Sequence, residues 1–147
     1  MRAIKYIVVH CTGGTQDVSV TALKAHWKRI GWKNVGYHYF IDKFGTEHQL
    51  AGIPQVTNGV RGHNHHSIHV AYAGGVEKGK AVDNRNARQK AALIARLTSL
   101  KGMFPHAEIV GHRDLSPDLD KDGIVERHEW VKQCPCFDAK TEYKNIK

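Results

Sequence analysis

The chain has 147 residues, 41% of them apolar and 24% charged, which predicts one soluble domain with a real core. No apolar run approaches the roughly 20 residues that cross a bilayer, and three cysteines, an odd number, favour metal binding or free thiols over a disulfide scaffold. The formal net charge of +8 favours polyanionic surroundings, but the basic residues are scattered without aromatic interleaving, so no nucleic-acid partner is expected.

Residues 4–11, IKYIVVHC, are rich in β-branched side chains and predict a buried strand rather than a cleavable leader. Side chains alternate along a strand, so His10 and Cys11 should face opposite sides, and only one can serve a shared site. Thr21 is the expected cap of a helix over 21–30, with Leu23, Trp27 and Ile30 at helical spacing and Gly31 as its stop. Residues 35–50 read as a hairpin turning at Asp42-Lys43-Phe44-Gly45, with glycine where a left-handed residue is needed. A long loop over 51–66 ends in the histidine-dense His63-Asn64-His65-His66. It is expected to line a groove, with His63 and Asn64, and His38 of the hairpin, near substrate.

Residues 67–73 predict another strand, closed by Gly74-Gly75, and 76–86 a polar loop. The stretch 87–101 predicts an amphipathic helix presenting Ala91, Leu93, Ile94, Leu97 and Leu100. A strand at 107–110 would deliver His112, a short helix at 126–132 would deliver Cys134, and the final YKNIK looks frayed. Strands and helices alternate without a glycine-rich phosphate loop. The expected fold class is therefore α/β: a mixed central β-sheet flanked by helices, in a single domain over 1–147.

The chemistry concentrates in 110–138, which offers His112 at one end and Cys134 and Cys136 at the other. His10, ending an apolar strand, is the natural third donor. Two histidines and one thiolate would leave a zinc ion one open position, as hydrolytic sites require. Spacing alone leaves Cys134 and Cys136 open as the sulfur ligand.

Five blocks occur in order along the chain: VVHCT, VGYHYFIDKFG, GHNHHSIHVAYAGG, VGHRDLSP and KQCPCFD. Together they resemble the zinc-dependent N-acetylmuramoyl-L-alanine amidases, a group that includes phage lysozymes of the amidase type and is related to peptidoglycan recognition proteins. The resemblance covers residues 3–140 and implies an amidase fold acting on peptidoglycan. It implies that His10, His112 and Cys134 bind zinc, that Tyr37 lies near the water at the metal, and that Lys132 stabilises the transition state. The sequence departs from the pattern twice: related chains often carry a histidine near the position of Gly59, and the segment between His112 and Cys134 is longer than in short phage enzymes.

That longer segment contains Asp118-Leu119-Asp120-Lys121-Asp122-Gly123-Ile124-Val125-Glu126-Arg127-His128-Glu129, which fits the twelve-residue calcium loop of EF-hands. Asp118, Asp120, Asp122, the Ile124 carbonyl and Glu129 fall at ligand positions, although Leu115-Ser116-Pro117 replaces the entering helix. Calcium would there be structural. The expected protein is a monomeric, endolysin-like amidase without a signal peptide, cytoplasmic until it is released onto the wall. The rival readings are a non-catalytic peptidoglycan-binding protein and an amidase acting as a toxin or in muropeptide recycling.

Overall fold

The run Ile7-Val8-Val9 has no polar face, so it needs neighbours at both edges and cover on both sides. The computed structural model, which describes residues 2–147, provides them. The chain runs β1 (Tyr6–Cys11), α1 (Val20–Arg29), β2 (Tyr39–Ile41), β3 (Glu47–Gln49), β4 (Ser67–Tyr72), β5 (Val76–Glu77), β6 (Lys80–Ala81), α2 (Ala87–Met103), β7 (Glu108–Gly111) and α3 (Ala139–Glu142). A five-stranded sheet has the order β3-β2-β4-β1-β7; β2, β4, β1 and β7 are parallel and β3 is antiparallel to β2. This is the mixed sheet expected from the sequence.

Strand alternation sorts the core into two faces. Ile7, Val9 and Cys11 pack with Ile68, Val70, Tyr72 and Ile109 against Leu93, Leu97 and Leu100 of α2. Burying each such leucine contributes roughly 2 kcal/mol. On the opposite face, Leu23 and Trp27 of α1 pack on Phe40 and Ala73, while Val8 and Val110 meet Val60 of the loop between β3 and β4. His10 belongs to this second face, on the far side of the sheet from Cys11.

Both helices depart from their expected details. Ser19 caps α1, its Oγ accepting from the Ala22 N–H at 3.1 Å, so Thr21 lies inside the helix. In α2 the buried stripe is Gln89, Leu93, Leu97 and Leu100; Ile94 is 50% exposed because one residue of helix turns it about 100° away from Leu93. Ala91 is exposed as well.

Three other stretches differ from expectation. The polar loop after β4 contains the two-residue strands β5 and β6, turned by Lys78 and Gly79, both with positive φ. The expected helix over 126–132 is only a 3-10 turn at Arg127–Glu129. The Glu129 carboxylate folds back to accept from the N–H groups of Leu119 and Glu126, and Trp130 is already extended. The C-terminus is not frayed: Tyr143 is buried and its hydroxyl accepts from Arg85 Nη1 at 2.9 Å.

Candidate metal centre

β1 and β7 run parallel with Val9 opposite Gly111, so His10 and His112 emerge together at the carboxyl end of the sheet. Open parallel sheets place their sites at this end. The two rings lie 4.9 Å apart between centroids. Cys134 reaches them from a loop, its Sγ 3.8 Å from His10 Nδ1. One donor atom from each of the three side chains lies within 4.8 Å of the other two.

The cysteine loop is held by backbone contacts. The Arg113 N–H donates to the Cys134 carbonyl at 2.9 Å, and the Tyr72 hydroxyl donates to the Pro135 carbonyl at 2.7 Å. The Cys11 N–H donates to Cys134 Sγ at 3.1 Å, which fixes the sulfur beside the end of β1. Cys136 is turned away; its Sγ lies 3.9 Å from Cys11 Sγ and donates to the Gly75 carbonyl at 3.5 Å. The geometry thus groups Cys134, not Cys136, with the histidines.

Electrostatics prepare these groups as ligands. Burial, then His69, His112 and Lys132, hold His10 well below the usual histidine range. Burial and the Lys132 ammonium push His112 down to about 4. Both imidazoles are therefore neutral at pH 7 and offer lone pairs. Tyr37 stacks obliquely on His10 at 5.2 Å, and its hydroxyl donates to the Cys11 carbonyl at 3.4 Å. Burial, with the thiols of Cys134 and Cys11 nearby, raises its pKa, so it remains a proton-bearing donor. Two neutral imidazoles and one thiol, without a carboxylate, suit a borderline-soft ion such as zinc.

The chain as a whole is similar to known proteins. The N-acetylmuramoyl-L-alanine amidase family profile matches residues 1–136. The chain belongs to the N-acetylmuramoyl-L-alanine amidase family. The endolysin of Enterobacteria phage K11 is 34% identical over 133 residues, 88% of this chain and 79% of that protein. Among solved structures, the Ph2119 endolysin from a Thermus scotoductus bacteriophage has a TM-score of 0.71 at 26% identity, over 92% of this chain and 79% of that one. Bumblebee PGRP-SA shares the fold, with a TM-score of 0.72 at 15% identity over 99% of this chain and 83% of that one. The chain is an endolysin-like peptidoglycan amidase, an enzyme rather than a binding protein alone.

The expected substrate residues of this amidase are less exposed than the sequence suggested. His38 is fully buried and cannot meet substrate. Its Nδ1 accepts from the His69 N–H at 3.1 Å, and its Nε2 lies 2.8 Å from the Gln55 carbonyl, so it ties β4 to the loop beneath it. Asn64 is half-buried and faces inward, its Oδ1 accepting from the Val60 N–H at 2.8 Å. His63 packs edge-on against Tyr6, four residues and roughly 13 Å along the strand from His10. Neither His38 nor His63 joins the cluster at His10.

Two further residues have structural partners that the sequence reading did not assign. His69, on β4, approaches His10 with Nδ1 2.8 Å from His10 Nε2. Its signal was the absent side chain at Gly59: a Cβ there would lie 2.3 Å from the His69 ring. Arg2 gathers the carbonyls of Ile53 at 2.6 Å, Gln55 at 2.7 Å, and Asn64 and Ser67 at 3.0 Å, fastening the loop over 51–66 to the N-terminus. An arginine at the second residue of a chain carries no local pattern that would have revealed this.

The acidic loop closes on itself. Carboxylate oxygens of Asp118, Asp120, Asp122 and Glu129 lie within 4.8 Å of one another. Gly123, at φ +86°, lets its N–H donate to Asp118 Oδ2 at 2.7 Å, while Asp118 Oδ1 is buried without a partner. The base of the loop is pinned where the Val131 N–H donates to Ser116 Oγ at 3.0 Å and Arg113 stacks on Trp130 at 3.9 Å.

Proposed function

We propose that this amidase hydrolyses the amide between the lactyl group of N-acetylmuramic acid and L-alanine, using a zinc ion held by His10, His112 and Cys134. The observation that carries the metal assignment is the convergence of these three donor atoms within 4.8 Å. Bound zinc supplies Lewis acidity: it polarises the carbonyl and brings the pKa of water towards neutrality.

The remaining roles fall to side chains around it. Tyr37, protonated at working pH, donates a hydrogen bond to the oxygen that gains charge as the amide carbon becomes tetrahedral. Lys132, in the loop before Cys134 and close enough to depress both histidines, offsets that charge. Burial of both imidazoles keeps them neutral and ready to ligate. His63 is proposed to meet substrate, with the inward-facing Asn64 acting from behind it.

The loop over 118–129 is proposed to bind calcium through Asp118, Asp120, Asp122, the Ile124 carbonyl and Glu129. Its twelve-residue spacing and the unpartnered Asp118 Oδ1 support this. Calcium would brace the segment between His112 and Cys134 without touching substrate. The enzyme is proposed to act as a monomer, on the wall after release from the cytoplasm; its likeness to the phage K11 endolysin supports action on the wall.

Metal analysis of the purified protein, paired with Cys134→Ala on purified peptidoglycan, tests the proposal. The expected result is about one zinc per chain and release of stem peptides with free L-alanine amino groups, both lost in the variant. Zinc and cleavage surviving that substitution would remove Cys134 from the centre.

A further inference from the structure

We propose that His69 and Asn64 are positioning residues that fix the tautomer and orientation of His10, an inference that rests on His10 ligating zinc as proposed above. The chain of hydrogen bonds is anchored at a group whose polarity is beyond choice. The backbone N–H of Val60 can only donate, so the Asn64 atom 2.8 Å from it is the carbonyl oxygen Oδ1. That same oxygen lies 2.9 Å from His69 Nε2, which must therefore carry a proton. His69 is fully buried with no carboxylate in contact, so it holds one proton and its Nδ1 is an acceptor. His10 Nε2, 2.8 Å away, must then be the donor. A neutral imidazole protonated at Nε2 keeps its lone pair on Nδ1, the atom that faces Cys134 Sγ at 3.8 Å.

Each link thus dictates the next, from a main-chain amide through an amide side chain and one histidine to the metal-facing nitrogen of another. Metal-binding histidines commonly donate their second N–H to a carboxylate, carbonyl or water. Here a second imidazole takes that place, seated in the space left by Gly59. A neutral acceptor leaves more positive charge at the metal than a carboxylate would, which favours Lewis acidity over ligand basicity.

The first measurement needs no variant. Two-bond nitrogen–proton NMR on the folded, metal-free protein should show His10 and His69 both protonated at Nε2 and bare at Nδ1. The opposite tautomer at either ring would overturn the inference. The second measurement is zinc affinity by chelator competition for wild type, Asn64→Leu, Asn64→Asp and His69→Leu. Loss of the relay should weaken zinc binding about 10–100-fold in the two leucine variants. Asn64→Asp keeps an acceptor for both N–H groups and, measured at about pH 9 so that the new carboxylate does not add a second proton to His69, should bind at least as tightly as wild type. Equal affinity in all four proteins would overturn the relay even if zinc and amidase activity are present. A wild-type protein that binds no zinc would instead sink the metal assignment, leaving the tautomer to be decided by NMR. If His69→Leu fails to fold, the two Asn64 variants carry the comparison.

Discussion

The imidazole of His69 occupies the space into which any side chain at Gly59 would project, with an added Cβ falling 2.3 Å from its Cγ and Nδ1. The two positions are ten residues apart and chemically coupled: glycine on the loop is the condition for histidine on the strand. Gly59→Ala should therefore cost about 1–3 kcal/mol through overpacking. Urea unfolding measures this, and an unchanged midpoint would contradict it. His69→Gly in the same chain should relieve most of the penalty from the clash.

The two cysteines of the Cys-Pro-Cys turn should behave oppositely. Cys136→Ser should keep the bound zinc and the amidase activity, because its sulfur contacts Cys11 and Gly75 rather than the histidines. Zinc stoichiometry by atomic emission decides it; loss of the metal in Cys136→Ser would show that the wrong thiol is assigned.

Tyr37→Phe should keep zinc and lower kcat on peptidoglycan by about 10²-fold, the usual effect of losing one oxyanion donor. Lys132→Met should act in the same direction. It should also let His112 titrate at higher pH, since the ammonium helps hold that histidine down to about 4. Histidine NMR titration of the metal-free variant reports the second effect, and steady-state kinetics the first.

The metal-free protein should lose stability as pH falls from the ordinary histidine value of 6.5 towards 4. Burial chiefly, with Arg2 adding and the Gln55 carbonyl opposing, pushes His38 down to about 4, and His112 is depressed to a similar value. Between those limits the unfolded chain binds more protons than the folded one, so acid favours unfolding. Urea midpoints at pH 7, 5.5 and 4.5 should decline in that order. A flat profile would mean that these histidines are not buried as neutral groups.

Calcium should raise the melting temperature of the wild-type protein, and a calcium chelator should reverse the gain without removing zinc. Asp120→Ala, at an exposed loop position, should fold normally and lose the calcium-dependent shift. Calorimetry with and without the ion provides the comparison; an identical shift in Asp120→Ala would exclude the loop.

Much of the fold can be read from local pattern because the deciding forces are local. The unbroken run Ile7-Val8-Val9 can only be an inner strand, and the Asp42–Gly45 turn carries its own instructions: Asp42 Oδ1 accepts from Phe44 and Thr46, and Gly45 takes φ +80°. The ordered blocks around His10, Tyr37, His112 and Cys134 likewise determined the family. The expected helix at 126–132 failed because the Glu129 carboxylate captures the backbone N–H groups of Leu119 and Glu126, a competition that helical periodicity does not register.

What only the tertiary structure decided are relationships across the sheet. Cys134 and Cys136 are nearly equivalent by spacing, and the choice falls to the Cys11 N–H of β1, which meets the first sulfur and not the second. His38 sits in a motif that suggests a site, yet the loop over 51–66, clasped by Arg2, closes over it. His69 stands 59 residues from His10, and its partnership exists only because parallel pairing sets β4 beside β1 and Gly59 leaves a hole of the right size. Identity and order of the chemical groups are properties of the chain. Which nitrogen or sulfur faces the shared point depends on packing and hydrogen-bond direction, and these arise only when distant segments meet.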